Sequence, residues 1–341
     1  MIKEKKPIFG KKNVLVAGGA GFIGSHLCDR LIKDNKVICI DNFVTSSERN
    51  IDHLLRDPNF VFIKHDVSEP FDLESYPELE KFKVQFQGIQ EIYNFSCPTS
   101  PKKFDDFKID TLKANSTAII NLLEIARKYN SKFFHASSAV VYGPRDKDNM
   151  YFKEDYKGTV NHLSPRACYD EGKKFAETTV STYKDVYNLD TKIGRIFRTY
   201  GIRMRINDGE MLPDFIINAL DGKDLVIYGD NNFTTSLCHI DDIISGIIKL
   251  MESDIQEPVN LGGPQEYRLV DVAQKIIEMT ESKSKVVFEE PLEFMTPLGL
   301  PDITKAKEKL GWLPIKTLEI GLKQVIEYTM SEKGSLGFDK V

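Results

Sequence analysis

The chain has 341 residues and a formal net charge of -5; 41% of its residues are hydrophobic and 28% are charged. This length exceeds what one core usually serves, so we expect a large domain with a smaller appended lobe. The negative charge argues against a nucleic-acid partner. Because no apolar stretch reaches 18 residues, we expect no membrane helix, and the lysine-rich start does not have the pattern of a signal peptide.

The cysteines are scattered along the chain and odd in number: Cys28, Cys39, Cys97, Cys168 and Cys238. They form no CxxC pair and no cluster with histidine, so the sequence supports neither a disulfide framework nor a metal site. We therefore expect a cytoplasmic protein without a bound metal.

Strand and helix patterns alternate from Asn13 onward, which indicates a parallel sheet with helices on both faces. The predicted strands of the first half are residues 14–17, 37–40, 60–63, 91–95 and 132–136. A further strand is expected at 192–197, and two long helices at 108–128 and 169–187. The polar stretch 69–88 is expected to be an inserted surface excursion, and 204–209 a loop.

A glycine-rich turn lies between the first predicted strand and the first helix, with Gly18, Gly21 and Gly24 around Phe22 and Ile23. Glycines let the backbone approach a pyrophosphate, and the helix N-terminus offers unpaired N–H groups and a positive dipole end. The last glycine lets the helix pack closely on the strand. With a strand before it and a helix after it, this turn predicts a dinucleotide site.

Two acidic residues follow the next strands and extend the predicted dinucleotide site. Asp41 ends the second strand, about 20 residues after the turn, where a carboxylate takes the adenosine ribose hydroxyls. Its neighbour is Asn42 and not an arginine, so the sequence favours NAD over NADP. Asp66 and Val67 follow the third strand, and we expect Asp66 to contact the adenine edge.

These features predict an α/β fold of the Rossmann type with a doubly wound parallel sheet. We place the NAD-binding domain at residues 1–198. Residues 199–341 are expected to form mainly a smaller α/β substrate-binding lobe, with the chain crossing back to the first domain.

A tyrosine and a lysine four residues apart, Tyr169 and Lys173, begin a helical pattern and therefore lie on one helical face. The lysine ammonium and the positive nicotinamide favour a tyrosinate and lower the pKa of the phenol. Tyr169 is thus the candidate general base for a substrate hydroxyl, and Lys173 also binds the nicotinamide ribose. Ser138, at the end of a predicted strand, is expected to hydrogen-bond the reacting oxygen.

Over roughly residues 12–330 the chain resembles the extended short-chain dehydrogenase/reductases that act on nucleotide sugars, and among them most of all the UDP-glucuronate decarboxylases. The segments that carry this resemblance are residues 18–27, 41–43, 65–67, 98–101, 165–173, 207–209 and 301–303. The resemblance implies NAD as cofactor, a UDP-sugar as substrate, and a homodimer formed by two long helices. It also places Pro98 and Ser100 at the substrate.

Several positions depart from the decarboxylase pattern. Val140 stands where decarboxylases typically have a glutamate, and its surroundings look more like those of a 4-epimerase. Thr235 and Leu300 replace two arginines, one of which grips the diphosphate in the family. Asp214 replaces an asparagine near the pocket helix.

One departure suggests a compensation. Arg198 replaces a neutral asparagine, and its guanidinium is able to take two phosphate oxygens in a fork. We therefore expect Arg198 to hold the diphosphate, with Arg203 and Arg205 on the following loop assisting. The alternative is that Arg198 pairs with Asp214 or Glu210 and that the substrate is not a nucleoside diphosphate.

Four functions remain open from the sequence. All three enzymatic ones begin with oxidation of the sugar at C4. A decarboxylase then loses the C6 carboxylate, whereas an epimerase returns the hydride to the other face of the sugar. A 4,6-dehydratase needs a further acid and base, which Ala139 and Val140 do not supply. The fourth is a non-catalytic NAD-sensing protein, which would not need Tyr169 and Lys173.

Overall fold

The computed structural model describes residues 10–99, 105–206, 208–291 and 297–335. The strands in chain order are β1 Asn13–Ala17, β2 Lys36–Asp41, β3 Phe60–Lys64, β4 Glu91–Asn94, β5 Lys132–Ser138, β6 Tyr151–Phe152, β7 Thr191–Ile196, β8 Thr199–Tyr200, β9 Leu225–Tyr228, β10 Thr234–Ser236, β11 Cys238–His239, β12 Val259–Leu261, β13 Glu266–Arg268, β14 Val286–Glu289 and β15 Leu300–Pro301. The α-helices are α1 Phe22–Leu31, α2 Val84–Gln87, α3 Lys108–Asn115, α4 Thr117–Tyr129, α5 Ala167–Tyr187, α6 Met211–Leu220, α7 Ile240–Glu252, α8 Leu269–Met279, α9 Thr304–Leu310 and α10 Leu318–Ser335.

Seven parallel strands form the central sheet in the order β12-β7-β5-β4-β1-β2-β3. Successive side chains of β1 point to opposite faces: Val14 and Val16 join one apolar cluster, and Leu15 and Ala17 the other. Helices α1 and α7 pack on the first face, and α4 and α5 on the second. The predicted doubly wound sheet is therefore confirmed. Since strand order reverses at β1, a crevice opens there at the carboxyl ends of the strands.

The C-terminal half contributes both to this sheet and to a second cluster. Strand β12 pairs with β7, with Leu261 opposite Ile196. Helices α6, α8 and α10 enclose an apolar cluster beside the β9–β14 pair. The boundary at residue 198 stays a prediction. Among the described residues, no helix is long and apolar enough to cross a membrane.

The stretch 69–88 is not the surface excursion that its polar residues suggest. Leu73, Leu79, Phe82 and Val84 are buried, and they pack in the same cluster as Leu15. Short helical turns space these four side chains so that they face the sheet, while the charged residues between them face solvent. The prediction is therefore wrong for the inner face of this segment.

The long helix predicted at 108–128 is interrupted. Helix α3 ends at Asn115, and α4 begins at Thr117 after Ser116, whose backbone leaves helical geometry at φ -124° and ψ -83°. The Ser116 hydroxyl donates a hydrogen bond of 2.6 Å to the Leu112 carbonyl. This bond offers the backbone an alternative to the helical ladder.

The buried role of the 69–88 segment predicts different costs for two nearby phenylalanines. Phe82→Ala removes a ring that is 1% exposed and should lower the free energy of unfolding by about 3–5 kcal/mol. Phe86→Ala removes a ring that is 73% exposed and should change it by less than about 0.5 kcal/mol. Urea unfolding of both variants measures the difference; equal costs would contradict the assignment of this segment to the core.

Candidate active site

A cavity of about 900 Å³ runs from the carboxyl ends of β1, β2 and β5 to helix α6 and strand β9. The sheet forms its wall on one side, and the C-terminal lobe forms it on the other. It is lined by both halves of the chain. Every described residue that the sequence predicted for cofactor, substrate or catalysis lines this cavity: Gly18, Gly21, Phe22, Ile23, Gly24, Asp41, Asn42, Asp66, Val67, Pro98, Ser138, Tyr169, Lys173, Arg198, Arg203 and Arg205. Ser100 lies outside the described residues.

The turn between β1 and α1 requires glycine at two of its positions. Gly18 has a φ of +74°, and a Cβ there would lie 2.7 Å from the carbonyl carbon of Phe95. A Cβ on Gly24 would lie 2.2 Å from the Gly18 carbonyl oxygen. The backbone thus comes close to the start of α1, which lines the cavity. In this type of fold a pyrophosphate binds at such a helix N-terminus.

The Asp41 carboxylate fixes the loop after β2. It accepts hydrogen bonds from the Ala20 N–H at 3.0 Å, the Phe43 N–H at 2.9 Å and the Ser46 hydroxyl at 2.6 Å. Its side chain therefore links the glycine turn to the loop of β2. Sequence reasoning identified the residue but not these internal partners.

Asp66 lies beside this loop at the end of β3. It accepts from the Ser68 N–H at 2.8 Å and from the Asn42 amide at 3.2 Å. Burial alone raises the pKa of Asp66, but these hydrogen bonds outweigh it and hold the pKa below its ordinary value. The carboxylate is thus available in its ionised form as an acceptor at the cavity wall.

The structure brings Tyr169, Lys173 and Ser138 together. Ser138 ends β5 and hydrogen-bonds the Tyr169 hydroxyl. Lys173 lies one turn after Tyr169 in α5, with its Nζ 5.8 Å from the centre of the phenol ring. The same Nζ donates a hydrogen bond of 3.0 Å to the Ala136 carbonyl, so α5 is tied to β5 at the site.

The pKa of Tyr169 in the chain without a cofactor lies above its ordinary value. Burial raises it well above its ordinary value, the nearby Cys97 thiol adds to the rise, and the hydrogen bond from Ser138 opposes it. Lys173 is already bonded to the Ala136 carbonyl. The expected lowering was for the phenol beside both Lys173 and a bound nicotinamide, so it stays a prediction; the charge of Arg166 already opposes the effect of burial.

Arg166, for which the sequence predicted no role, lies next to this tyrosine. The guanidinium of Arg166 lies 5.5 Å from the centre of the Tyr169 ring and 3.5 Å from the Asp170 carboxylate. Burial raises the pKa of Asp170 to about 6, although the Arg166 charge opposes the rise. Arg166 is one helical turn before Tyr169, and this spacing was the signal that could have identified it.

The end of the cavity at helix α6 carries Arg198 and Glu210. Nη1 of Arg198 lies 3.6 Å from the Met211 sulfur, and no carboxylate of the described chain forms an ion pair with this guanidinium. Burial lowers the pKa of Arg198, whereas the nearby Glu210 raises it. Burial likewise raises the pKa of Glu210, and Arg198 lowers it. Sequence reasoning had considered Glu210 only as a partner for Arg198.

The remaining predicted site residue and the residues that depart from the decarboxylase pattern have other contacts in the structure. Arg203 lines the cavity, but its guanidinium forms a 2.8 Å ion pair with Asp29 of α1. Leu300 is fully buried in β15, and Thr235 is buried in β10 with its hydroxyl bonded to the Ser236 carbonyl. Val140 lines the cavity as an apolar residue. Among the described residues, no group of three or more His, Cys, Asp or Glu side chains is arranged to hold a metal.

Comparison with known proteins identifies the family. The model of the family described as GDP-mannose 4,6 dehydratase matches residues 15–325. The chain belongs to this family. It is 38% identical to UDP-glucuronic acid decarboxylase 1 of Danio rerio over 94% of this chain and 73% of the relative, and 37% identical to UDP-glucuronic acid decarboxylase 5 of Arabidopsis thaliana over 94% and 90%.

Solved structures agree with this assignment. UDP-glucose 4-epimerase of Thermotoga maritima, solved with UDP-glucose, is 25% identical with a TM-score of 0.82 over 94% of this chain and 99% of that one. UDP-glucuronic acid 4-epimerase of Bacillus cereus, solved with UDP-glucuronic acid and NAD, is 26% identical with a TM-score of 0.81 over 94% and 99%. The family resemblance drawn from the sequence is therefore confirmed.

Proposed function

We propose that the protein is an NAD-dependent enzyme that oxidises a UDP-sugar at C4 and returns the hydride, acting as a UDP-glucuronate decarboxylase. The observation that carries the proposal is the meeting of Tyr169, Lys173 and Ser138 beside the glycine turn. The 36–38% identity to UDP-glucuronic acid decarboxylases over more than nine-tenths of the chain supports the substrate and the reaction.

The residues at the glycine turn fit NAD. The close backbone approach at Gly18 and Gly24 leaves the helix N-terminus open to a pyrophosphate, and Asp41 carries a negative charge where NADP has a further phosphate. Lys173 would hold the nicotinamide ribose, and Asp66 the adenine edge. When bound, NAD accepts the hydride from C4 and later returns it. Sensing of NAD alone would leave the Tyr169 site without a role.

The chain's own groups carry the proton chemistry. Tyr169 takes the proton of the C4 hydroxyl, and the Lys173 ammonium and Ser138 hydroxyl stabilise the charge on the oxygen. In a uronic acid the C6 carboxylate is β to the resulting C4 ketone. The C5–C6 bond then breaks, carbon dioxide leaves, the electron pair enters the C4–C5 enolate, and C5 takes a proton.

Tyr169→Phe should abolish this chemistry while leaving cofactor binding nearly intact, because it removes the base and keeps the ring. We expect turnover of UDP-glucuronate to fall about a hundredfold or more. The matched control is Tyr183→Phe in the same helix, whose hydroxyl instead bonds Glu124 at 2.7 Å. Initial rates and NAD calorimetry test both variants; most of the activity remaining in Tyr169→Phe would refute the assignment of the base.

One observation favours a second function, a nucleotide-sugar 4-epimerase. Val140 gives the cavity an apolar wall where decarboxylases have a glutamate, and Ala139 beside it is also buried. An epimerase needs only room for the keto-sugar to turn and accept the hydride on its other face. A 4,6-dehydratase is less well supported because neither residue supplies an acid or a base.

The fate of C6 separates the two functions. With UDP-glucuronate and NAD we expect the enzyme to release carbon dioxide and form a UDP-pentose. Mass spectrometry and NMR detect these products. If the wild type decarboxylates slowly, Val140→Glu should speed it. An isomer of unchanged mass without pentose would instead establish the epimerase.

Arg198 is the proposed ligand of the substrate diphosphate. Its guanidinium lines the substrate end, has no ion-pair partner among the described carboxylates and is able to form a bidentate contact. It would thus stand in for the arginines absent at Thr235 and Leu300. Pro98 lines the cavity as well. Pro98 and Ser100 are assigned to the substrate on the family resemblance, and Arg203 because it lies on the loop after Arg198.

Arg198→Ala and Arg198→Lys should both weaken UDP binding by about 1.5–3 kcal/mol, because the fork-shaped contact is lost in each. Arg30→Ala, which removes an exposed arginine paired with Asp34, is the control and should bind UDP as the wild type does. Calorimetry measures all three. Unchanged affinity in Arg198→Ala would indicate that a nucleoside diphosphate is not held here.

We also propose a cytoplasmic homodimer. All five cysteines are free, as a reducing compartment would keep them. Ile109 and Leu112 of α3, Ile120 of α4 and Phe175 of α5 are exposed apolar side chains on packed neighbouring helices. A second copy covering these helices would remove that apolar surface from water.

A further inference from the structure

Arg166 is held at the reacting end of the cavity. It precedes α5 and lines the cavity, with its side chain 24% exposed. Its guanidinium lies over the face of Tyr169, 5.5 Å from the ring centre, and within 3.5 Å of Asp170. The ring and the carboxylate together fix the cation beside the side chain that acts on the sugar.

The other cations of the cavity have different places. Lys173 is bonded to the Ala136 carbonyl, Arg203 is paired with Asp29, and Arg205 lies against the Thr45 carbonyl in the loop after β2. Arg198 lies against Met211 at the start of α6, in the lobe opposite the sheet. Arg166 is therefore the arginine that contacts the catalytic tyrosine.

The chemistry of the sugar places C6 near this cation. Tyr169 takes the proton from the oxygen on C4. C6 is bonded to C5, the next ring atom. The neighbouring wall also carries the uncharged side chains of Ser138, Ala139 and Val140. A carboxylate at C6 thus has a guanidinium within the same end of the cavity, whereas a neutral hydroxymethyl group gains little from it.

We infer that Arg166 is a specificity-determining residue that binds the C6 carboxylate and selects uronic acids over neutral hexoses. Asp170 is its positioning residue. The inference rests on the proposed function, since it places C4 of a UDP-sugar at Tyr169. It goes further by assigning recognition of C6 to one side chain.

Recognition by Arg166 has a consequence for the reaction. The charge on the C6 carboxylate moves to the C4 oxygen as carbon dioxide leaves, so a cation at C6 binds the ground state more strongly than the transition state. Arg166 therefore contributes to binding and not to the rate of C5–C6 cleavage. Its removal should raise KM for UDP-glucuronate. Because the charge of Arg166 also lowers the pKa of Tyr169, kcat reports on both effects, and ligand binding isolates the contact with C6.

Binding is best measured where no turnover occurs. The Tyr169→Phe variant retains the ring under Arg166, so it serves as the parent for calorimetry with UDP-glucuronate and UDP-glucose in the presence of NAD. Arg166→Gln in this parent should raise the Kd of UDP-glucuronate about tenfold, as expected for a lost charge-assisted contact. The Kd of UDP-glucose should change less than about twofold on the same grounds.

The other possible outcomes distinguish a failure of this inference from a failure of the proposed function. Equal weakening of both ligands, or weakening of neither, would overturn the role of Arg166 while leaving the UDP-sugar site intact. A parent that binds neither UDP-sugar would overturn the proposed function itself, and the inference with it. In the active enzyme, an unchanged KM for UDP-glucuronate in Arg166→Gln would also overturn the inference. Arg30→Gln is the surface control, and NAD binding checks that each variant is folded.

Discussion

The close contact between the β1–α1 turn and its neighbours is the constraint on which the rest of the site depends. The Gly18 amide donates to the Ile40 carbonyl at 2.8 Å, and the Gly24 α-carbon leaves no room for a side chain above the Gly18 carbonyl. These two contacts set where α1 begins relative to the sheet. Because β1 lies where the strand order reverses, the same contacts set the floor of the crevice.

A second contact places the chemistry over that floor. The Lys173 Nζ joins α5 to the Ala136 carbonyl of β5, and Ser138 follows two residues later in the same strand. One helix and one strand end thus determine the relative positions of Tyr169, Lys173 and Ser138. A buried lysine bonded to a backbone carbonyl is costly to displace, which keeps these positions fixed.

The local patterns predicted the parts that short-range physics controls. The glycine turn, Asp41, and the four-residue spacing of Tyr169 and Lys173 each depend on one strand end or one helical turn, so their positions could be predicted from neighbouring residues. The 69–88 segment was misread because four apolar side chains, Phe82 among them, are spaced by helical turns among charged residues and face a sheet formed elsewhere in the chain. The break at Ser116 likewise depends on one hydroxyl bond that composition does not reveal.

The substrate end was the least readable, because its residues meet only through the tertiary fold. Arg198 follows the sheet, and Glu210 precedes a helix of the other lobe, yet each affects the pKa of the other. Burial disfavours the charged form of both groups, and their mutual attraction favours it. An anionic ligand beside Arg198 would replace the stabilisation that Glu210 now gives to the cation, and would itself oppose ionisation of Glu210. Residues at this end would therefore respond to the charge of a bound nucleotide sugar, whereas the glycine turn would respond mainly to the shape of the dinucleotide.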